Sequence, residues 1–176
     1  MKLKKLKFDG FYLFNHHVFK DDRGFFRRHF CKKDFLNKNL KFDVKQGNIS
    51  FSAKKGTLRG FHYKSGNSKE TKILSCIKGK VFHVAIDLRK TSKTYKKSFS
   101  IILDSNKHQG IIIPPKCANA VLTLDKNVLL HYYMTDYFEN EKFKGIRYND
   151  PLFKIKWPFK PRIINSRDKN YPDFKF

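Results

Sequence analysis

The densest run of chemically capable residues is Arg59-Gly60-Phe61-His62-Tyr63. A glycine permits close backbone approach at Gly60. Two residues on stands His62, an imidazole flanked by aromatics, and His is the usual general base near neutral pH. The same residue type also serves as a hydrogen-bonded structural histidine, so His62 by itself admits both readings. Lys72 lies ten residues further on, beside Ile73 and Leu74. Directed inward, such a lysine needs a partner or an anionic ligand, and directed outward it is simply solvated. Tyr132-Tyr133-Met134-Thr135-Asp136-Tyr137 supplies phenols that can act as acids or pack in a core. Asp168, in Ser166-Arg167-Asp168, reads on local pattern as a solvated loop residue.

Short strands must position these groups. Candidate strands are Phe25–Cys31, Phe42–Phe51, Thr71–Leu88, Phe99–Leu103, Gln109–Ile113, Ala118–Leu124 and Val128–Met134. Within Lys80–Leu88, Phe82, Val84, Ile86 and Leu88 share one face, and Val81, His83, Ala85 and Asp87 share the other. Only Lys32–Asn39 reads as helical. Many short strands separated by turn signals, without the long helices of a parallel α/β fold, predict an all-β sandwich or barrel. The 176 residues suit one domain spanning 1–176.

Composition excludes several classes. Nineteen Phe and eight Tyr are too many for a disordered chain. Cys31, Cys76 and Cys117 form no CxxC pair, which argues against a disulfide framework and for a reducing compartment. No apolar run reaches the roughly 18 residues of a membrane helix. Asp9 and Gly10 interrupt the apolar part of the basic N-terminus, against a signal peptide. The seven histidines form neither HxH nor HExxH, so no metal motif is present. There is no GxGxxG and no GxxxxGK[ST].

The net charge of +24 invites a nucleic-acid reading. However, 31 Lys against 8 Arg, and only 4 Ala, match an A/T-rich codon bias, and the lysines are scattered. No specific nucleic-acid partner is expected. A basic surface would still attract an anionic substrate.

Taken together, the motifs resemble the nucleotide-sugar 3,5-epimerase family of the cupin superfamily, the dTDP-4-dehydrorhamnose 3,5-epimerase type. The anchors begin with Asp22-Arg23-Gly24-Phe25-Phe26, Gln46-Gly47-Asn48-Ile49-Ser50 and Gly56-Thr57-Leu58-Arg59-Gly60-Phe61-His62-Tyr63. They continue with Lys72, Gly79-Lys80-Val81-Phe82, Asp87-Leu88-Arg89, Ile113-Pro114-Pro115, Tyr132 and Thr135-Asp136-Tyr137. The last are Gly145-Ile146-Arg147-Tyr148-Asn149-Asp150-Pro151, Ser166-Arg167-Asp168 and Pro172. Their order over most of the chain carries the resemblance.

The resemblance implies a cupin-type jelly roll, a cytoplasmic homodimer exchanging N-terminal strands, and neither metal nor organic cofactor. It implies a nucleoside-diphosphate 4-keto-6-deoxy sugar as substrate, with surface glycan assembly as the usual destination. His62 would be the base, Asp168 its orienter, Lys72 the stabiliser of the enolate oxygen and Tyr132 the acid. Arg59 and Arg167 match positions near the diphosphate. Gln46 and Asn48 match polar pocket positions, and Phe138 matches an aromatic that stacks on the base. Arg23 and Phe26 would reach the nucleotide from the partner subunit.

Three positions depart from the pattern. Asn119 stands in place of a pocket histidine, His83 where relatives often have Asp, and Arg28 where they often have Glu near the base. A guanidinium only donates hydrogen bonds where a carboxylate accepts them. These changes predict a sugar or nucleotide other than the usual one, or epimerisation at a single carbon. Rival readings are a ketoisomerase on a similar substrate and a non-catalytic sugar-nucleotide-binding jelly roll.

Overall fold

In a computed structural model of the chain, residues 1–175 are described. The strands in chain order are β1 (Lys2–Lys5), β2 (Tyr12–Asn15), β3 (Val18–Asp21), β4 (Gly24–Arg27), β5 (Gln46–Ser52), β6 (Thr57–Lys64) and β7 (Lys72–Lys78). They continue with β8 (Lys80–Asp87), β9 (Ser98–Asp104), β10 (Gln109–Ile113), β11 (Cys117–Thr123), β12 (Val128–Met134), β13 (Phe143–Gly145) and β14 (Ile163–Ile164). Among the described residues there are also two short α-helices, α1 (Lys32–Leu36) and α2 (Ser166–Lys169), and two 3-10 turns, at Ser105–Lys107 and Asn140–Lys142.

One six-stranded sheet has the order β1-β2-β10-β7-β12-β5. The second runs β13-β6-β11-β8-β9, with β14 added in parallel along β6. Hairpin β3–β4 pairs only with itself. This is the jelly-roll arrangement expected for a cupin.

Three apolar layers hold it together. Between the sheets, Phe11, Leu74, Val81, Ala85, Ile111 and Val121 form the main core. Behind the second sheet, Phe61, Val84, Ile86 and Ala118 pack with Phe153 and Trp157 of the C-terminal segment. Behind the first sheet, Phe14, Ile73 and Ile112 pack on Phe35 of α1 and on Phe42. Strands covered on both faces need not alternate apolar with polar. This explains the near-continuous apolar runs of β8 and β10, and why Thr71–Leu88 reads as one strand. It is two, broken at Gly79 (φ +78°).

Several boundaries differ from the sequence reading. The strand expected at Phe25–Cys31 begins one residue earlier and ends four earlier, at Gly24–Arg27, and Phe42–Lys45 lies outside β5. Helix α1 ends at Leu36 rather than Asn39. Strands β1, β2, β3, β6, β13 and β14 have no counterpart among the candidates. No helix among the described residues is long and apolar enough to cross a membrane.

Candidate active site

The two sheets face each other across a cavity of about 480 Å³. From the first sheet, alternation directs Gln46, Asn48 and Ser50 of β5, Lys72 and Leu74 of β7, and Leu130 and Tyr132 of β12 into it. The intervening residues Ile49, Phe51, His131 and Tyr133 do not line it.

The second sheet breaks strict alternation to build the site. Arg59 and His62 are three residues apart and would face opposite ways on a regular strand, yet both line the cavity. The β6–β11 register explains this: His62 pairs with Asn119 and Arg59 with Val121. Two residues, Gly60 and Phe61, therefore oppose Ala120 alone, which is a β-bulge. Phe61 turns into the apolar layer behind the sheet. Gly60 has φ +111°, and a β-carbon there would lie 2.5 Å from the Asn119 carbonyl oxygen. Only glycine fits.

The same bulge connects His62 to Asp168. The Gly60 N–H donates to Asp168 Oδ2 at 2.9 Å, and Asp168 Oδ1 lies 2.8 Å from His62 Nε2. Asp168 belongs to α2, which is capped by the Asn165 side chain accepting from the Asp168 N–H at 2.7 Å. Far from being a solvated loop residue, Asp168 is completely buried. Burial alone would push its carboxyl up. The His62 hydrogen bond and charge, with the Gly60 N–H, outweigh that and hold it below the usual carboxylate range. With Asp168 on Nε2, Nδ1 is the His62 nitrogen free to act on a ligand.

Across the cavity, burial pushes the Tyr132 phenol above its ordinary range, Arg59 opposes the shift and Glu70 adds to it. Tyr132 is therefore a protonated donor at neutral pH. Lys72 is ion-paired to Glu70 at 3.1 Å and lies 6.0 Å from the centre of the Phe143 ring. Arg167 lies 5.0 Å over that same ring, and His62 packs against it at 4.8 Å between centroids. Arg59 donates to Ser52 Oγ and to the Phe51 carbonyl. Gln46 Oε1 accepts from the Phe138 N–H at 2.8 Å, fixing the loop that carries the Phe138 ring to the cavity mouth. Asn119 Nδ2 donates to the His62 carbonyl at 3.3 Å.

Ten of the fourteen predicted residues thus line one cavity: His62, Lys72, Tyr132, Asp168, Gln46, Asn48, Arg59, Asn119, Phe138 and Arg167. Four do not. His83 points between the sheets, as its alternation predicts, but is fully buried and absent from the lining. Neither ring nitrogen has a hydrogen-bond partner among the described residues, and burial pushes the imidazole down to about 3. Arg23 is on the hairpin turn, paired with Asp21 at 2.7 Å, and Phe26 is exposed on β4. Arg28 follows β4 and borders a separate hollow with His16 and Phe26. Phe143, Ser50 and Asn165 line the cavity without having been singled out. Only Asn165 left a signal, as a helix-capping residue type just before Ser166.

The match to known proteins agrees with this geometry. The dTDP-4-dehydrorhamnose 3,5-epimerase family model matches residues 5–175. The chain belongs to that family. It is 31% identical to the dTDP-4-dehydrorhamnose 3,5-epimerase of Methanothermobacter thermautotrophicus, covering 95% of this chain and 91% of that protein. The Bacillus anthracis epimerase, solved with TDP and PPi bound, superposes with a TM-score of 0.94 at 29% identity, covering 98% of this chain and 99% of that one. The Legionella pneumophila epimerase, solved in complex with dTDP-4-keto-L-rhamnose, gives a TM-score of 0.88 at 30% identity, covering 95% and 89%. As a member of this epimerase family, the chain is an isomerase.

Proposed function

We propose that this epimerase inverts C3 and C5 of a dTDP-linked 4-keto-6-deoxy sugar by proton transfer through an enolate. The observation that carries the reading is that His62 and Tyr132 enter one cavity from opposing sheets. Inversion requires a base on one face of the sugar and an acid on the other. The C4 ketone acidifies the neighbouring C–H bonds. His62 takes the proton, and the buried Asp168 carboxylate stabilises the imidazolium that forms. A positioned base contributes roughly 10²–10⁴ in rate. The Lys72 ammonium balances the negative charge that develops on the C4 oxygen. One such donor is worth about 3–4 kcal/mol. Tyr132 then delivers a proton to the opposite face.

Arg59 and Arg167, both in the cavity lining, hold the diphosphate in this reading, since guanidinium groups bind phosphate bidentately. Phe138 offers its ring to the thymine. Of the three departures, only Asn119 alters the cavity lining. His83 lies buried off it, and Arg28 lies beside the hairpin rather than in this chain's own cavity. The working form is a homodimer. Ile49 and Phe51 on the outer face of β5 are 70% and 54% exposed, and Phe25 and Phe26 of the hairpin are 57% and 66% exposed. A second copy covering these residues would bring the Arg23–Phe26 hairpin toward a neighbouring cavity. The unpaired thiols of Cys31, Cys76 and Cys117 suit the reducing cytoplasm.

The test is NMR in D₂O with dTDP-, GDP- and CDP-linked 4-keto sugars. Exchange at C3 and C5 of the dTDP sugar, abolished by His62→Ala, is expected. Exchange at one carbon would assign a single-carbon epimerase, with Asn119 as the altered pocket residue. Absence of exchange with every sugar would overturn the reading.

A further inference from the structure

We infer that Glu70 is a positioning residue of this site, fixing the Lys72 ammonium at the cavity wall and supplying a negative charge beside it. The inference rests on the proposed role of Lys72.

Glu70 lies near the end of the loop between β6 and β7 and is 8% exposed. Two residues apart, Glu70 and Lys72 lie on the same side of the chain, and their 3.1 Å ion pair joins a buried carboxylate to a partly buried ammonium. A lysine stem carries about 2 kcal/mol of rotamer entropy, so an ammonium without a fixed partner would sample many positions. Glu70 is itself held. Its N–H donates to Ser68 Oγ at 3.1 Å, and Ser68 Oγ donates to Asp136 Oδ2 at 3.1 Å. The neighbouring Thr71 N–H donates to Thr135 Oγ1 at 2.8 Å. The loop is thereby laced to the residues that follow β12, the strand of Tyr132.

The charge arrangement around Glu70 is lopsided. A small hollow beside the main cavity is lined by Lys64, Lys72 and Lys116, with Glu70 as its one carboxylate among the described residues. Lys64 is already engaged by Asp136 at 2.9 Å and Glu139 at 2.6 Å. Glu70 is the carboxylate paired with Lys72. Its field also reaches Tyr132, adding to the effect of burial on the phenol. The other charged or titratable groups that line the cavity with Tyr132 are Arg59 and His62 from β6, Lys72 from β7, and Arg167 and Asp168 from α2. Those from β5, β10 and β11 are neutral.

The test is a double-mutant cycle with Glu70→Gln and Lys72→Met, read as kcat, KM and the pH profile of kcat. Glu70→Gln keeps the shape and removes the charge. It is expected to lower kcat about tenfold or more, the range for loss of a charge-assisted contact. KM should change less than kcat, and the alkaline limb should move to lower pH as Tyr132 loses a neighbouring negative charge. Glu70→Asp should restore the limb while recovering only part of kcat, because the shorter carboxylate holds Lys72 less closely. In the Lys72→Met background, Glu70→Gln should have little further effect on kcat. Full additivity, or an unshifted limb in Glu70→Gln, would overturn the inference. Thermal melting separates misfolding from a site effect, and if Glu70→Gln does not fold, Glu70→Asp decides, since a displaced limb with the charge retained would overturn the charge argument. Wild-type activity in Lys72→Met would instead defeat the role assigned to Lys72.

Discussion

Replacing Asp168 with Asn removes one charge and almost no volume from the most enclosed part of the site. Asp168 accepts from Gly60 N–H at 2.9 Å and pairs with His62 Nε2 at 2.8 Å. An amide has one oxygen for these two partners, so one of them would meet an N–H₂ group. If the oxygen stays on Gly60, Nε2 faces a donor, and the imidazole must turn its proton to Nδ1, the nitrogen needed to accept from substrate. If the oxygen turns to His62, the buried Gly60 N–H loses its partner. In either case the imidazolium loses its counter-charge. Charge centres about 4 Å apart, at an effective dielectric of about 20, interact by ~4 kcal/mol. At 1.36 kcal/mol per decade this is a fall of ~10³ in kcat. KM should change little, because Asp168 supports the charged form that appears only after proton abstraction. The assay is loss of the C3 and C5 proton signals in D₂O together with kcat for product formation, on protein whose fold is checked by circular dichroism. A folded Asp168→Asn variant within tenfold of wild type would refute the reasoning.

Three further outcomes follow from the same geometry. Tyr132→Phe should still wash deuterium into the substrate through His62, but form inverted product ~10²–10⁴ more slowly, since only the acid is removed; equal losses of exchange and inversion would reassign Tyr132. Gly60→Ala should lower stability by at least about 1–3 kcal/mol from backbone strain alone, before its clash with Asn119 and Ala120 is counted, as read by thermal melting. His83 is buried neutral at about 3 against an ordinary 6.5. Between those values the unfolded chain binds a proton that the folded one refuses. Its contribution is therefore intact above pH ~6.5 and lost as the pH falls, by about 2 kcal/mol at pH 5. His83→Leu should cut the stability lost between pH 7 and 5 by that amount in urea melts, and an unchanged drop would show that His83 is not the cause. His16 and His29, also driven down to about 4 by burial, would continue to contribute acid sensitivity in this variant.

What the sequence reveals about this site depends on how local each cause is. Strand β12 is read with its correct ends, and Tyr132 faces the cavity as period-two alternation requires, because the pattern is written within seven consecutive residues. Strand β6 is missed for the opposite reason. A bulge moves His62 onto the same face as Arg59, so the strand that carries both violates the rule used to find strands. The bulge is set by its partner, β11, about sixty residues away, and by Gly60, whose missing side chain lets the Asn119 carbonyl approach. Asp168 is similar. Nothing within several residues signals burial. It arises when the C-terminal segment folds back across the second sheet, and α2 is too short to show a helical period. His83 is the intermediate case. Alternation places it on the inner face of β8, but not how deep it lies, because depth depends on the facing sheet. The pairing of His62 with Asp168 is therefore legible only in a pattern spread over the whole chain, and the fold supplies its physical reason. A single glycine bulge turns His62 inward and points the Gly60 N–H at the carboxylate that holds it.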